Sequence, residues 1–166
     1  MINDLMQILI FVIILIILHE FGHVIAAKIL KLEIQKIGFK IKPFPSFFVA
    51  VKWPTKEIEK YIYLFSGTFV TVILFITAFI FNFGDNKYLY SAFIIQLINE
   101  TNPLYSDFTI AIVNKQIKNY ENFKKSHADY YKEQFSKYLF STKWYIHFVL
   151  WTLIIFLLFN LKKKFL

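Results

Sequence analysis

His19, Glu20 and His23 stand in the order His-Glu-Phe-Gly-His inside the apolar run ILIFVIILIILHEFGHVIAAKIL. On a helix, residues four apart share a face at about 6 Å, so both imidazoles can aim a ring nitrogen at one metal ion. Glu20 then flanks the position of a metal-bound water, where a general base belongs. The pattern is that of a zinc-dependent hydrolase, and its surroundings are those of a membrane span. An ionised carboxylate alone is put at about 2.5 to 3.5 kcal/mol at the centre of a lipid-facing helix. These three groups must therefore face protein, water or metal. A polar cluster that joins helices by hydrogen bonds is the bland alternative.

Two histidines do not complete a catalytic zinc centre, which uses three protein ligands and leaves one position open to water. The chain has no cysteine, so the third donor must be a histidine, aspartate or glutamate. His127 lies in a polar stretch and His147 at the entrance of an apolar segment, positions that read as surface or interfacial. Glu100 and Asp107 lie in an interrupted apolar segment, whereas Asp85 lies in a short loop at the far end from His19, and depth removes it. Glu100 and Asp107 both remain open as the third donor.

The elements that must position these groups are spans. The chain has 166 residues, 57% of them hydrophobic and 20% aromatic, with a mean hydropathy of +0.51, above the apolar share of soluble domains. The expected fold is an all-α integral membrane protein with about four transmembrane helices, forming one membrane-embedded domain over 1–166. A hydrocarbon core of about 30 Å takes roughly 20 helical residues, which places spans near 5–30, 61–83, 88–113 and 144–161. In the third, Asn99, Glu100, Asn102, Pro103 and Asp107 interrupt the apolar run and predict a broken helix. Polar backbone at membrane depth survives only where it is buried in protein or lines a cavity. No removable signal peptide is expected at the N-terminus, which lacks a basic flank and a small-residue cleavage signature.

Between the first two spans, EIQKIGFKIKPFPSFFVAVKW is rich in β-formers and too charged to cross. It predicts a short interfacial β segment after the first helix, with Pro43 and Pro45 confining any strand to a sheet edge. An ordinary connecting loop is the alternative. Residues 114–143 are polar with interspersed aromatics and predict one or two helices on the membrane surface.

Net charge is +8 and every basic residue is a lysine. These lysines flank apolar segments, which argues for topology signals and lipid headgroups and against nucleic acid as a partner. The loops 31–60 and 114–143 carry seven lysines each, against Lys87 alone between the second and third spans. Both loops are expected on the cytoplasmic side. Lys162, Lys163 and Lys164 then fall outside, against the same rule, unless the last segment does not cross. His19 lies about 21 Å along the first helix from residue 5, at about 1.5 Å per residue, and close to Lys28 and Lys31. The metal is therefore expected toward the cytoplasmic side of a multi-pass protein, in a bacterial cell membrane.

At this point the chain resembles the site-2 protease family of intramembrane zinc metalloproteases. That family carries His-Glu-x-x-His on one span, and an asparagine, one or two prolines and an aspartate in an interrupted later helix. Here Asn99, Pro103 and Asp107 stand in that order, and the resemblance covers roughly residues 5 to 113. It implies one catalytic Zn²⁺ on His19, His23 and Asp107, with Glu20 as the base. It also implies that Asn99 holds substrate or stabilises the oxyanion, and leaves Glu100 as the alternative ligand. The family usually has glycine after the aspartate, where this chain has Phe108, and many relatives have proline where Thr68 stands. The expected substrates are membrane-embedded or membrane-associated peptides and proteins, and the expected surroundings are the lipid bilayer.

Two other classes compete. A non-enzymatic partner-binding or immunity protein would hold a closed, four-ligand structural zinc site; three ligands plus a carboxylate suited to be a base favour an open catalytic one. A small transporter with a His/Asp relay is weaker, because no paired repeat is visible.

Overall fold

The computed structural model describes residues 2–40, 46–81, 86–114 and 127–165. The element order is α1 (Ile2–Ile29), β1 (Ile34–Lys40), β2 (Ser46–Val51), α2 (Glu57–Ile80), α3 (Lys87–Thr101), α4 (Asp107–Asn114), α5 (His127–Tyr138) and α6 (Thr142–Phe165). The described residues are thus mostly helical, with one small sheet.

Three helices are long and apolar enough to cross a membrane: α1, α2 and the stretch Thr142–Leu161 of α6. The fourth expected span, over 88–113, is not one helix. Asn102 ends α3 with an extended backbone (ψ 149°), and Pro103 follows, so the chain restarts only at Asp107. The two pieces have 15 and 8 residues, each short of the roughly 20 that a crossing takes. Asp85, Pro43 and Pro45 lie outside the described residues.

Small residues set how closely α1 and α2 approach. A β-carbon at Gly22 would meet the Ser66 carbonyl at 2.7 Å and the Gly67 Cα at 3.1 Å, so the two backbones touch at these glycines. One turn further, Ala26 and Ala27 are buried with Tyr63, Leu64 and Ala111, which brings α4 onto the same core. On the other side of α1, Leu15 packs with Ala92 and Phe93 of α3. Helix α1 therefore lies between α2 and α3, and α6 packs on α3. At the opposite end of the bundle, Asn86 caps α3 by accepting the Tyr88 and Leu89 amides at 3.0 and 3.2 Å. The Tyr88 hydroxyl binds Asp4 at the start of α1.

Outward faces stay apolar. Phe69 and Ile73 on α2, and Phe156 and Leu157 on α6, are exposed. Exposed apolar side chains on three long helices associate this fold with a membrane.

After α1 the chain reverses through Lys31, whose left-handed φ of 56° lets the Leu32 amide return to the Ala27 carbonyl at 2.8 Å. Strands β1 and β2 then pair antiparallel, with Ile37 opposite Val49 and Phe39 opposite Phe47, and an irregularity between Ile34 and Lys36. Between them, Gly38 leaves room for the Phe48 ring, which a β-carbon would meet at 2.9 Å. The hairpin is pinned to the bundle through β2: the Tyr63 hydroxyl donates to the Val49 carbonyl at 2.5 Å. The region expected as short interfacial strands is thus a hairpin packed against α1.

Candidate metal centre

One turn of α1 carries His19 and His23 on its buried face. Each ring is oriented through Nδ1. His23 Nδ1 lies 2.8 Å from the Tyr63 backbone carbonyl, which can only accept, so Nδ1 carries a proton and, in the neutral ring, Nε2 carries the lone pair. The Ser66 hydroxyl lies 3.2 Å from the same nitrogen. His19 Nδ1 lies 2.8 Å from Glu100 Oε1. That oxygen already accepts from Thr71 Oγ1 and Gln96 Nε2, each at 2.6 Å. It accepts from Nδ1 as well, and in the neutral ring Nε2 of His19 also carries a lone pair.

The break in the third segment supplies the third group. Asn102 organises it: its Oδ1 accepts the Leu104 and Tyr105 amides at 2.9 and 3.0 Å. Its backbone carbonyl accepts the Ser106 and Thr109 hydroxyls at 2.6 and 2.9 Å. Ser106 caps the restarted helix by accepting the Thr109 amide at 3.2 Å. Asp107 is thus the first residue of α4, held by a folded turn rather than by a free loop. Its Oδ2 lies 3.2 Å from Nε2 of His19 and 3.2 Å from Nε2 of His23, and the two Nε2 atoms are 3.2 Å apart.

Three lone-pair atoms therefore converge on one point. Tetrahedral donors about 2.0 to 2.2 Å from a zinc ion stand about 3.3 to 3.6 Å apart, so the triangle fits a small divalent ion with little adjustment. Among the described residues, His19, His23 and Asp107 form the group with ligand atoms close enough to hold a metal, all within 4.8 Å of one another. Glu100, the alternative ligand, sits on the far nitrogen of His19 and not in the triangle.

Behind the triangle is Gly67. A β-carbon there would lie 2.6 Å from Nε2 of His19 and 2.7 Å from Nε2 of His23. In front is a cavity of about 690 Å³ that Glu20, Asn99, Phe47, Phe48, Trp53 and Tyr105 line together with the three candidate ligands. Glu20 also borders the backbone of Val49 on β2. The cavity therefore joins a candidate base, the candidate metal donors, the expected substrate asparagine and one edge of the hairpin.

Helix α5 lies against α4. Burial, and after it the negative charge of Asp107, pushes the Tyr131 phenol of α5 up to about 12, so it stays protonated. His147, expected at an interface, is instead buried: Nε2 lies 2.8 Å from the Thr101 carbonyl and Nδ1 2.7 Å from the Tyr138 hydroxyl. It joins α6 and α5 to the carbonyl end of α3, because that end leaves unpaired acceptors that a buried donor satisfies.

Several of these groups carry no sequence motif. Gly67, Gln96, Thr71 and the Tyr63 carbonyl belong to ordinary apolar segments.

No protein-family model matches the chain, and neither a curated protein nor a solved structure matches it.

Proposed function

We propose that this chain is an intramembrane zinc metalloprotease that hydrolyses peptide bonds of membrane-embedded or membrane-associated peptides. One observation carries the reading: Nε2 of His19, Nε2 of His23 and Oδ2 of Asp107 form a triangle of potential ligand atoms with 3.2 Å sides, and Glu20 lines the same cavity. Three donors and an adjacent carboxylate make an open, catalytic arrangement rather than a closed structural one. The long apolar helices support a multi-pass protein of the membrane, with its site facing the cytoplasmic side, as the lysine distribution argues.

In this reading His19, His23 and Asp107 hold Zn²⁺, which when bound polarises the scissile carbonyl and lowers the pKa of a water toward 7. Glu20 takes the proton of that water and returns it to the leaving amine. Asn99 lines the cavity where it can donate to a peptide carbonyl. A peptide bond in a membrane helix is closed by its own hydrogen bond, so the substrate must be held unwound. Strand β2 offers an edge for this: among the described residues it pairs with β1 on one side only, and Phe47, Phe48 and Val49 line the cavity.

The test compares the native chain with Glu20→Ala in detergent or vesicles, using a membrane peptide as substrate and elemental analysis for zinc. Cleavage abolished with zinc retained is the expected result. Native-rate cleavage by Glu20→Ala overturns the assignment of the base. His19→Ala and Asp107→Ala should both lose zinc; full retention in Asp107→Ala moves the third ligand to Glu100. The peptide that accumulates in cells carrying Glu20→Ala, and not in cells carrying the native chain, identifies the substrate.

A further inference from the structure

We propose that Glu100 is a positioning residue for the metal: clamped by Gln96 and Thr71, it accepts a hydrogen bond from Nδ1–H of His19 and fixes that ring as an Nε2 donor. The inference rests on the metal-binding reading of the triangle above.

Three donors converge on a single oxygen of Glu100. His19 Nδ1 lies 2.8 Å from Oε1, and Thr71 Oγ1 and Gln96 Nε2 lie 2.6 Å from it. They come from three helices, α1, α2 and α3, and all four residues are buried. Such a clamp has one purpose that its parts share. The three donors share the two lone pairs of Oε1, so the carboxyl group cannot rotate without breaking three contacts from three elements.

The fixed oxygen in turn fixes His19. A neutral imidazole carries one proton, and whichever nitrogen keeps it cannot bind metal. Against a carboxylate oxygen the proton belongs on Nδ1, which leaves Nε2 for the triangle. His23 reaches the same state by a cheaper route, a backbone carbonyl at 2.8 Å. The two ligands are thus held in one tautomer by two acceptors of different kind, a side-chain carboxyl for His19 and a backbone carbonyl for His23.

Glu100 Oε2 is buried and has no hydrogen-bond partner among the described residues. None of the described residues lining the cavity is a lysine or arginine. A divalent cation on the triangle would bring positive charge into a buried region where, among the described residues lining the cavity, only the histidines could otherwise supply it. Carboxylate partners of this type raise the basicity of a ligating imidazole and strengthen metal binding.

The experiment uses the full chain in detergent and measures zinc affinity by competition with a chromophoric chelator, and the absorption of the cobalt-substituted protein. Glu100→Gln keeps the shape and one acceptor oxygen, and should weaken zinc by about tenfold. Glu100→Ala should weaken it by up to about 100-fold. In both variants the four-coordinate cobalt absorption is retained once metal is saturating, because no ligand has been removed. Gln96→Leu, which leaves Glu100 in place but frees Oε1, should give a several-fold loss and guards against misfolding of the Glu100 variants. Native zinc affinity in all three overturns the proposal. So does a changed cobalt coordination number in Glu100→Gln with a native spectrum in Asp107→Asn, because Glu100 is then itself a ligand. A native chain that takes up neither zinc nor cobalt overturns the metal reading first and this proposal with it.

Discussion

Gly67 and His19 meet so closely that a single added methyl group at Gly67 would lie 2.6 Å from Nε2 of His19. The histidine cannot retreat, because its other nitrogen is held by Glu100 at 2.8 Å. Helix propensity alone favours alanine over glycine by about 1 kcal/mol, so a substitution governed by propensity would stabilise α2. Gly67→Ala should do the opposite: lower the unfolding temperature, at a cost of about 1 to 3 kcal/mol for forcing atoms into filled space, and remove most zinc binding. Thermal unfolding and zinc stoichiometry on the same preparation check it. A variant more stable than the native chain and still loaded with zinc would show that the histidines have room to move.

Gly22 makes the companion contact one face away. Its added β-carbon would meet the Ser66 carbonyl, a backbone atom, at 2.7 Å, and backbone gives way less readily than a side-chain end. Gly22→Ala should separate α1 from α2, lower the unfolding temperature by a similar amount and reduce cleavage with it. Stability and activity should fall together here, whereas Gly67→Ala should lose metal out of proportion to stability.

The difference between these two glycines marks what the sequence carries. The His19, Glu20 and His23 spacing is legible because it is local: 3.6 residues per turn fixes which side chains share a face. Gly22 is legible for the same reason, as a gap on that face. The interruption around Asn102 and Pro103 is legible as polarity and proline inside an apolar run, and the β-forming stretch after α1 is legible as composition. What is not legible is register between helices. Gly67, Thr71 and the Tyr63 carbonyl matter only because α2 stands at one particular height beside α1, and that height is set by Gly22, Ala26 and Ala27 packing together with Tyr63 and Leu64. Glu100 read as an alternative ligand because sequence gives its depth but not its side of the His19 ring. His147 read as interfacial because sequence cannot show that Thr101 ends a helix with a carbonyl in need of a donor.

Removing metal should loosen the bundle. His19, His23 and Asp107 come from α1 and α4, so a metal held by all three ties these two helices together. A ligand that binds only the folded state stabilises it by about 2.7 kcal/mol at a concentration 100 times its dissociation constant. Chelation should therefore lower the unfolding temperature in detergent, and zinc should restore it together with cleavage. In Asp107→Asn the zinc-dependent shift should shrink, while in Glu20→Ala it should stay near native. An equal zinc shift in Asp107→Asn and the native chain would remove Asp107 from the ligand set.

His147→Phe should test the joint between α3, α5 and α6. Burial, with a smaller push from Tyr131, holds the Tyr138 phenol up to about 12. The phenol therefore keeps its proton and donates to Nδ1 at 2.7 Å, which leaves the Nε2 proton for the Thr101 carbonyl at 2.8 Å. Phenylalanine fills the space and satisfies neither partner. Stranding a buried donor or acceptor costs about 1 to 3 kcal/mol, so the unfolding temperature should fall while zinc stoichiometry remains native. A fall in zinc content would mean that the joint also holds Asp107, through the turn that starts at Asn102.

Tyr63 joins two functions that a single substitution can separate. Its backbone carbonyl orients His23, and its hydroxyl donates to the Val49 carbonyl at 2.5 Å, fixing β2 beside the cavity. Tyr63→Phe removes only the second, since the carbonyl belongs to the backbone. Losing one such hydrogen bond is worth about 0.5 to 1.5 kcal/mol, or more if the Val49 carbonyl finds no other donor. Zinc affinity should therefore stay native, whereas kcat/KM on a membrane peptide should drop by about tenfold. If β2 holds the unwound substrate, most of that loss appears as a higher KM. If instead kcat falls with KM unchanged, the hairpin acts by holding Glu20 beside Val49 and not by binding substrate. Native kcat and KM would show that β2 keeps its place without Tyr63, through its packing on α1 alone.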